Sequence, residues 1–237
     1  MNLTIAGLTA RALFGRRRLL LLLPMPLLLI GLTVLAAGTS ADPAQWGPIV
    51  LGDLGLGVIL PLTALIIGSS VLGLEIEDGT ITHVLSKPVP RSEIVVTKLA
   101  VAWGATAAVT AVPLAIAGAI AGSPRLAVGL GLGTAVGALV YTALFLALSL
   151  LSRRPVAVGL VYIMLWENLL TRFVGGARVL SVQEYSTTLA GGLAQTELLT
   201  GRLLPITAAL LAIVLTALGA AVATARLRSF TLAGETG

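Results

Sequence analysis

Apolar residues run along this chain in long blocks, broken by short clusters of charge, proline and glycine. Because about 20 apolar residues cross a bilayer core as a helix, the blocks predict six spans, at about 19–37, 49–74, 94–121, 126–151, 156–170 and 205–225. The breaks carry turn chemistry. Pro43, Gly47 and Pro48 predict a short loop, with Trp46 as an interfacial anchor. Gly122-Ser123-Pro124-Arg125 predicts a tight turn, and Ser152-Arg153-Arg154-Pro155 a second one. Residues 171–204 are too polar to span and too apolar for a plain linker, so short helices carrying Val179, Val182 and Leu189 are expected, interrupted at Gly191-Gly192. Residues 1–15 are mildly amphipathic and predict a helix lying on the membrane surface. The expected fold is a single all-α integral membrane domain over residues 1–237.

Residues 16–41 also follow the layout of a signal peptide, with Arg16-Arg17-Arg18, a Leu-rich run and small residues near Ser40. The apolar run is longer than a signal core, and more spans follow, so an uncleaved first span is expected. Pro61 and Pro113 fall inside spans and mark expected bending points. Gly129, Gly133 and Gly137 recur every fourth residue, which lays three bare patches on one helix face. That stripe suits close helix packing, within the chain or across a dimer, although glycine is common in membrane helices in any case.

One block breaks the apolar pattern. EIEDGTITHVLSKPVPRSEIVVTK, from Glu75 to Lys98, collects acids, cations, two prolines and the only histidine between the second and third spans. Asp78-Gly79-Thr80 is a turn and helix-start signal. Ile81, Val84 and Leu85 then form one apolar face, with His83 on another. The short helix ends at Lys87-Pro88, and Pro90-Arg91-Ser92-Glu93 starts the next one.

Glu75, Gly79 and Thr80, then Leu85, Pro88, Arg91, Glu93 and Lys98, have a spacing similar to the cytosolic loop of type-2 ATP-binding-cassette exporter permeases. The resemblance implies that residues 75–93 carry a coupling helix docking into a separate ATPase subunit. It implies coupling roles for Glu75, Asp78, Gly79, Thr80, Ile81, His83, Val84, Leu85, Pro88, Arg91 and Glu93. It further implies two ATPase subunits per complex, which hold the ATP and Mg, a second permease chain as homodimer or heterodimer, and an outer-face helical segment over residues 171–204.

Composition narrows the classes. The chain is 57% hydrophobic and 11% charged, against about 25% charged in soluble domains, and its mean hydropathy is +1.04. With no cysteine and one histidine, thiolate sites and sites with several imidazoles are excluded. The net charge of +5 does not indicate nucleic acid, because the basic residues flank apolar spans. With residues 75–93 inside the cell, Arg11, Arg16, Arg17, Arg18, Lys87, Arg91, Lys98, Arg153, Arg154, Arg226 and Arg228 lie inside, eleven of the fifteen basic residues. Both termini are therefore expected in the cytoplasm, and the chain in the plasma membrane.

Lys87 and Lys98 are the only lysines, and neither belongs to a phosphate-binding loop. The chain is expected to be a transport subunit without an ATPase site or cofactor of its own. The rival reading is an ion- or proton-coupled carrier, which needs ionisable groups near the midplane. Asp53 and Glu167 are the acids closest to spans outside the loop, and both are expected near outer ends. Trp166 and Glu167 are candidates for an outer gate, with Arg172 or Arg178 as partners of the acid. An intramembrane enzyme is the least supported class, since His83 sits in the wet loop. Few charges within the spans favour an amphipathic or hydrophobic cargo over a simple ion.

Overall fold

The computed structural model describes Gly7, Thr9, Leu22 and residues 24–39, 42–77, 90–173 and 175–232, with the backbone alone at 73–77, 172, 175 and 230–232. These residues form helices, and no strand occurs among them. Helix α1 spans Pro24–Gly38. The Asp42 carboxylate then accepts the N–H of Ala44 at 3.0 Å and caps α2 (Pro43–Gly47). This helix continues through a π-helical segment, Pro48–Ile59, into α3 (Leu60–Glu77).

The loop expected at Pro43, Gly47 and Pro48 is therefore helical. Pro43 takes a first-turn position, where its missing N–H has no helical partner to lose. Trp46 is carried inward with it. At 8% exposure it joins the core instead of anchoring at an interface. The π register ends just before Pro61, whose ring cannot donate to a carbonyl one turn back. The N–H of Leu60 bonds instead to the carbonyl of Gly55, five residues earlier.

Helices α4 (Arg91–Ile120) and α5 (Pro124–Leu151) form an antiparallel pair. At 1.5 Å per residue they run to about 45 and 42 Å, longer than a bilayer core of about 30 Å. The turn between them requires Gly122, whose φ of +99° disfavours any side chain. Ser123 then caps α5 by accepting the N–H of Leu126. Pro113 lies inside an unbroken α4.

After Arg154, α6 (Pro155–Val161) passes into a second π-helix, Tyr162–Leu170, then a short turn of α7 (Thr171–Phe173) and a 3-10 turn, Gly175–Leu180. Helix α8 (Val182–Ala194) and the long α9 (Pro205–Leu232) complete the order. α8 runs through Gly191-Gly192 without the expected interruption. Gly191 is there for space: a methyl group on it would strike the carbonyl oxygen of Leu199.

Four of these helical stretches are long and apolar enough to cross a membrane: Pro43–Leu72, Arg91–Ile120, Pro124–Leu151 and Pro205–Ser229. Pro24–Gly38 and Pro155–Leu170 are shorter apolar helices. The chain is an all-α membrane protein. α5 is its hub, packed by α3, α4, α8 and α9. One core gathers around Tyr141, Phe145, Leu60 and Tyr185, and a second, towards the Arg91 end, around Ile67, Leu72, Ile94 and Leu146.

Many hydroxyls within the spans are satisfied along their own helices, while those of Thr63, Thr134 and Tyr141 are buried without a hydrogen-bond partner among the described residues. Thr33, Ser69, Thr106, Thr110 and Thr142 each donate to a carbonyl four residues back. An unpaired hydroxyl would be costly in a medium without water.

Candidate functional site

Two ends of the bundle carry polar groups. At one end lie the C-terminus of α3 and the N-terminus of α4, which flank residues 78–89. Asp78, Gly79, Thr80, Ile81, His83, Val84, Leu85 and Pro88 lie outside the described residues. Glu75 belongs to the last turns of α3, Arg91 opens α4, and Glu93 lies in its first turn, where an acid suits the positive helix end. Arg91 and Glu93 are both half-buried.

Lys98, one turn further on, is only 1% exposed. Its Nζ donates to the carbonyl of Val71 on α3 at 3.1 Å. A buried ammonium is held only where it has acceptors, so this contact fastens α3 to α4 just beyond the loop they flank.

The opposite end is organised by Glu167, near the end of the second π-helix. The carboxylate is 2% exposed. Its Oε2 accepts from Ser181 Oγ at 2.5 Å. Its Oε1 accepts from the Val182 N–H at 2.9 Å and from Tyr162 Oη at 3.2 Å. Ser181 is the N-cap of α8, and its Oγ also accepts the N–H of Glu184. A side chain from α6's continuation thus occupies the positive N-terminus of α8, which favours an anion. The buried Tyr141 hydroxyl lies near the same carboxylate without good hydrogen-bond geometry to it.

Glu167 does not pair with Arg178. The Arg178 Nε donates to the Thr171 carbonyl at 2.7 Å, and Thr171 Oγ1 donates to the Glu167 carbonyl. Asn168 Nδ2 bonds the Ile163 carbonyl five residues back, serving an acceptor of the π-helix. Trp166 Nε1 reaches the Leu180 carbonyl at 3.3 Å. Trp166 and Glu167 therefore both fasten the end of this span to the segment leading into α8.

Along the side of α8 runs the glycine stripe of α5. A methyl group at Gly129 would come within 2.5 Å of the Ala190 carbonyl oxygen, and one at Gly133 within 2.7 Å of that of Ser186. One at Gly137 would strike Ser186 Oγ. The two helices run antiparallel with backbones in near contact, and Arg125 Nη1 adds a bond to Gln195 Oε1 at 3.2 Å.

Between the first π-helix, the end of the second and α8 lies a cavity of about 280 Å³. Asp53, exposed on the first π-helix, lines it together with Glu167, Arg178, Glu184 and Arg202. The spacing of Asp53 and Glu167 in sequence gave no sign that they share a cavity. Ser181 was also missed, although Ser181-Val182-Gln183-Glu184 has the spacing of a capping box. The Glu184 carboxylate departs from that motif by accepting the Arg202 N–H.

A family model described as ABC-2 family transporter protein matches residues 16–171. The match includes α1 to α6, residues 78–89 and Glu167. No curated protein matches the chain.

Proposed function

Because the chain belongs to the ABC-2 transporter family, we propose that it is the membrane-spanning permease subunit of an exporter that moves an amphipathic or hydrophobic cargo outward. The observation that carries this reading is the family match over residues 16–171, which includes the polar loop between α3 and α4. A separate ATPase, two copies per complex, drives the cycle, and a second permease chain completes the path. Residues 75–93 dock on the ATPase from the cytosol, with Ile81, Val84 and Leu85 as apolar anchors and Glu75, Asp78, Arg91 and Glu93 fixing orientation. Both termini face the cytoplasm, in keeping with the eleven basic residues on that side.

Mechanistically, nucleotide-driven closure of the ATPases displaces the loop and with it the ends of α3 and α4. The bond from Lys98 to Val71 supports movement of the two helices as one lever. The test is to extract the tagged chain gently from its membrane and identify what copurifies by mass spectrometry. A stoichiometric subunit bearing a phosphate loop, lost in Leu85→Asp or Arg91→Ala, is the expected result. Intact oligomers with no ATPase would overturn the reading.

A further inference from the structure

The cavity at the end of the bundle opposite residues 78–89 contains more charge than its own contacts use. Asp53, Glu167 and Glu184 supply carboxylates, and Arg178 and Arg202 supply guanidiniums. None of these acids forms an ion pair with either arginine. Glu167 is spent on α8, and one oxygen of Glu184 holds the Arg202 backbone N–H. Asp53 makes no hydrogen bond among the described residues. The Arg178 side chain is positioned through Nε, while its terminal nitrogens make no bond among the described residues.

The backbone is shaped around the same space. Both π-helices contribute to the wall, through Asp53 in one and Glu167 in the other. π-helical turns inside α-helices recur at functional sites. Opposite charges held around one cavity without pairing suit a ligand that carries both signs.

We propose that this cavity binds a small zwitterion with a primary ammonium and a phosphate or carboxylate. Asp53 and Glu184 receive the ammonium as hydrogen-bond acceptors. Arg178 and Arg202 receive the anionic group, for which the planar guanidinium is well matched. Two sources offer this chemistry: the headgroup of phosphatidylethanolamine in the adjoining leaflet, and a free solute such as phosphoethanolamine. The site is independent of the ATPase reading, and its test needs no ATPase.

The chain contains no cysteine, so Thr200→Cys places a single thiol on the exposed rim of the cavity. Its rate of labelling by a soluble maleimide is measured with the full chain in nanodiscs. In phosphatidylcholine discs, whose quaternary ammonium donates no hydrogen bond, added phosphoethanolamine is expected to slow labelling in a saturable way. Asp53→Asn or Arg202→Gln, both at exposed positions, should raise the half-protecting concentration by about tenfold, as loss of one charged hydrogen-bond partner implies.

Slow labelling in phosphatidylethanolamine discs without added solute, restored by either substitution, identifies the lipid headgroup as the source. Protection by the solute alone identifies a free zwitterion. Equal rates under all conditions overturn the proposal, as does protection that both substitutions leave unchanged.

Discussion

Replacing Glu167 with alanine leaves the Ser181 hydroxyl, the Val182 N–H and the Tyr162 hydroxyl without their acceptor. Ser181 and Val182 are buried, and a buried donor without a partner costs about 1–3 kcal/mol. Tyr162 is half-buried and is counted at the low end, giving about 3–7 kcal/mol for the three together. Removing a buried carboxylate also removes its desolvation cost, which offsets part of the loss.

The Ser181→Ala background separates these contributions. Ser181→Ala alone loses the α8 cap, worth about 1 kcal/mol, and the bond to the carboxylate. In the double variant the shared bond is counted once, so a coupling of about 2 kcal/mol is expected. Glu167→Gln keeps one acceptor oxygen and should fall between alanine and the parent. The assay is reversible unfolding in mixed micelles followed by tryptophan fluorescence, with midpoint and slope giving the free energy. A Glu167→Ala chain within about 1 kcal/mol of the parent, or a coupling near zero, would refute the anchoring role.

Other substitutions read different contacts. Gly133→Leu should push α8 off α5 at a cost of about 1–3 kcal/mol, seen as faster proteolysis within residues 171–204, because even a methyl group there meets the Ser186 carbonyl. Gly122→Ala should lower stability by about 1 kcal/mol, measured by the same unfolding assay, since the residue holds a positive φ. Lys98→Met, similar in length and uncharged, should leave insertion and assembly with the ATPase intact while lowering stimulated ATP hydrolysis. Unchanged hydrolysis in that variant would detach the tie between α3 and α4 from coupling.

Legibility in the sequence followed how local each cause is. The Gly122-Ser123-Pro124 turn was readable because a positive φ, a cap and a helix-starting proline act over three successive residues. The glycine stripe on α5 was readable as a face, but its partner was not. That partner presents Ser186, Ala190 and Ala194, small residues at the same four-residue spacing. They were hidden in a segment judged by its polarity and by Gly191-Gly192. Those glycines looked like a helix break because nothing local shows that the chain returns past them at Leu199. Trp46 was misplaced for the same reason, its neighbours in the core being distant in sequence. Glu167 stood out as an acid at a span end, while its receiver, the N-terminus of α8, lies in a separate helix. The coupling helix read from the Glu75–Lys98 motif falls on residues 78–89, which lie outside the described residues.

The seat of α8 on α5 repeats. Glycines at every fourth position face small residues at every fourth position, so a slide of one helical turn, about 5.4 Å, would bring one bare patch onto the next with little change in fit. Such a rail sets how close two helices lie and says little about where along it they stop. The stop is set by bonds that exist at one position only, those of the Glu167 carboxylate to Ser181 and Val182 at one end of α8 and that of Arg125 to Gln195 at the other. The buried acid thus acts as an index pin at one end of a repeating track, with the exposed Arg125 bond at the other.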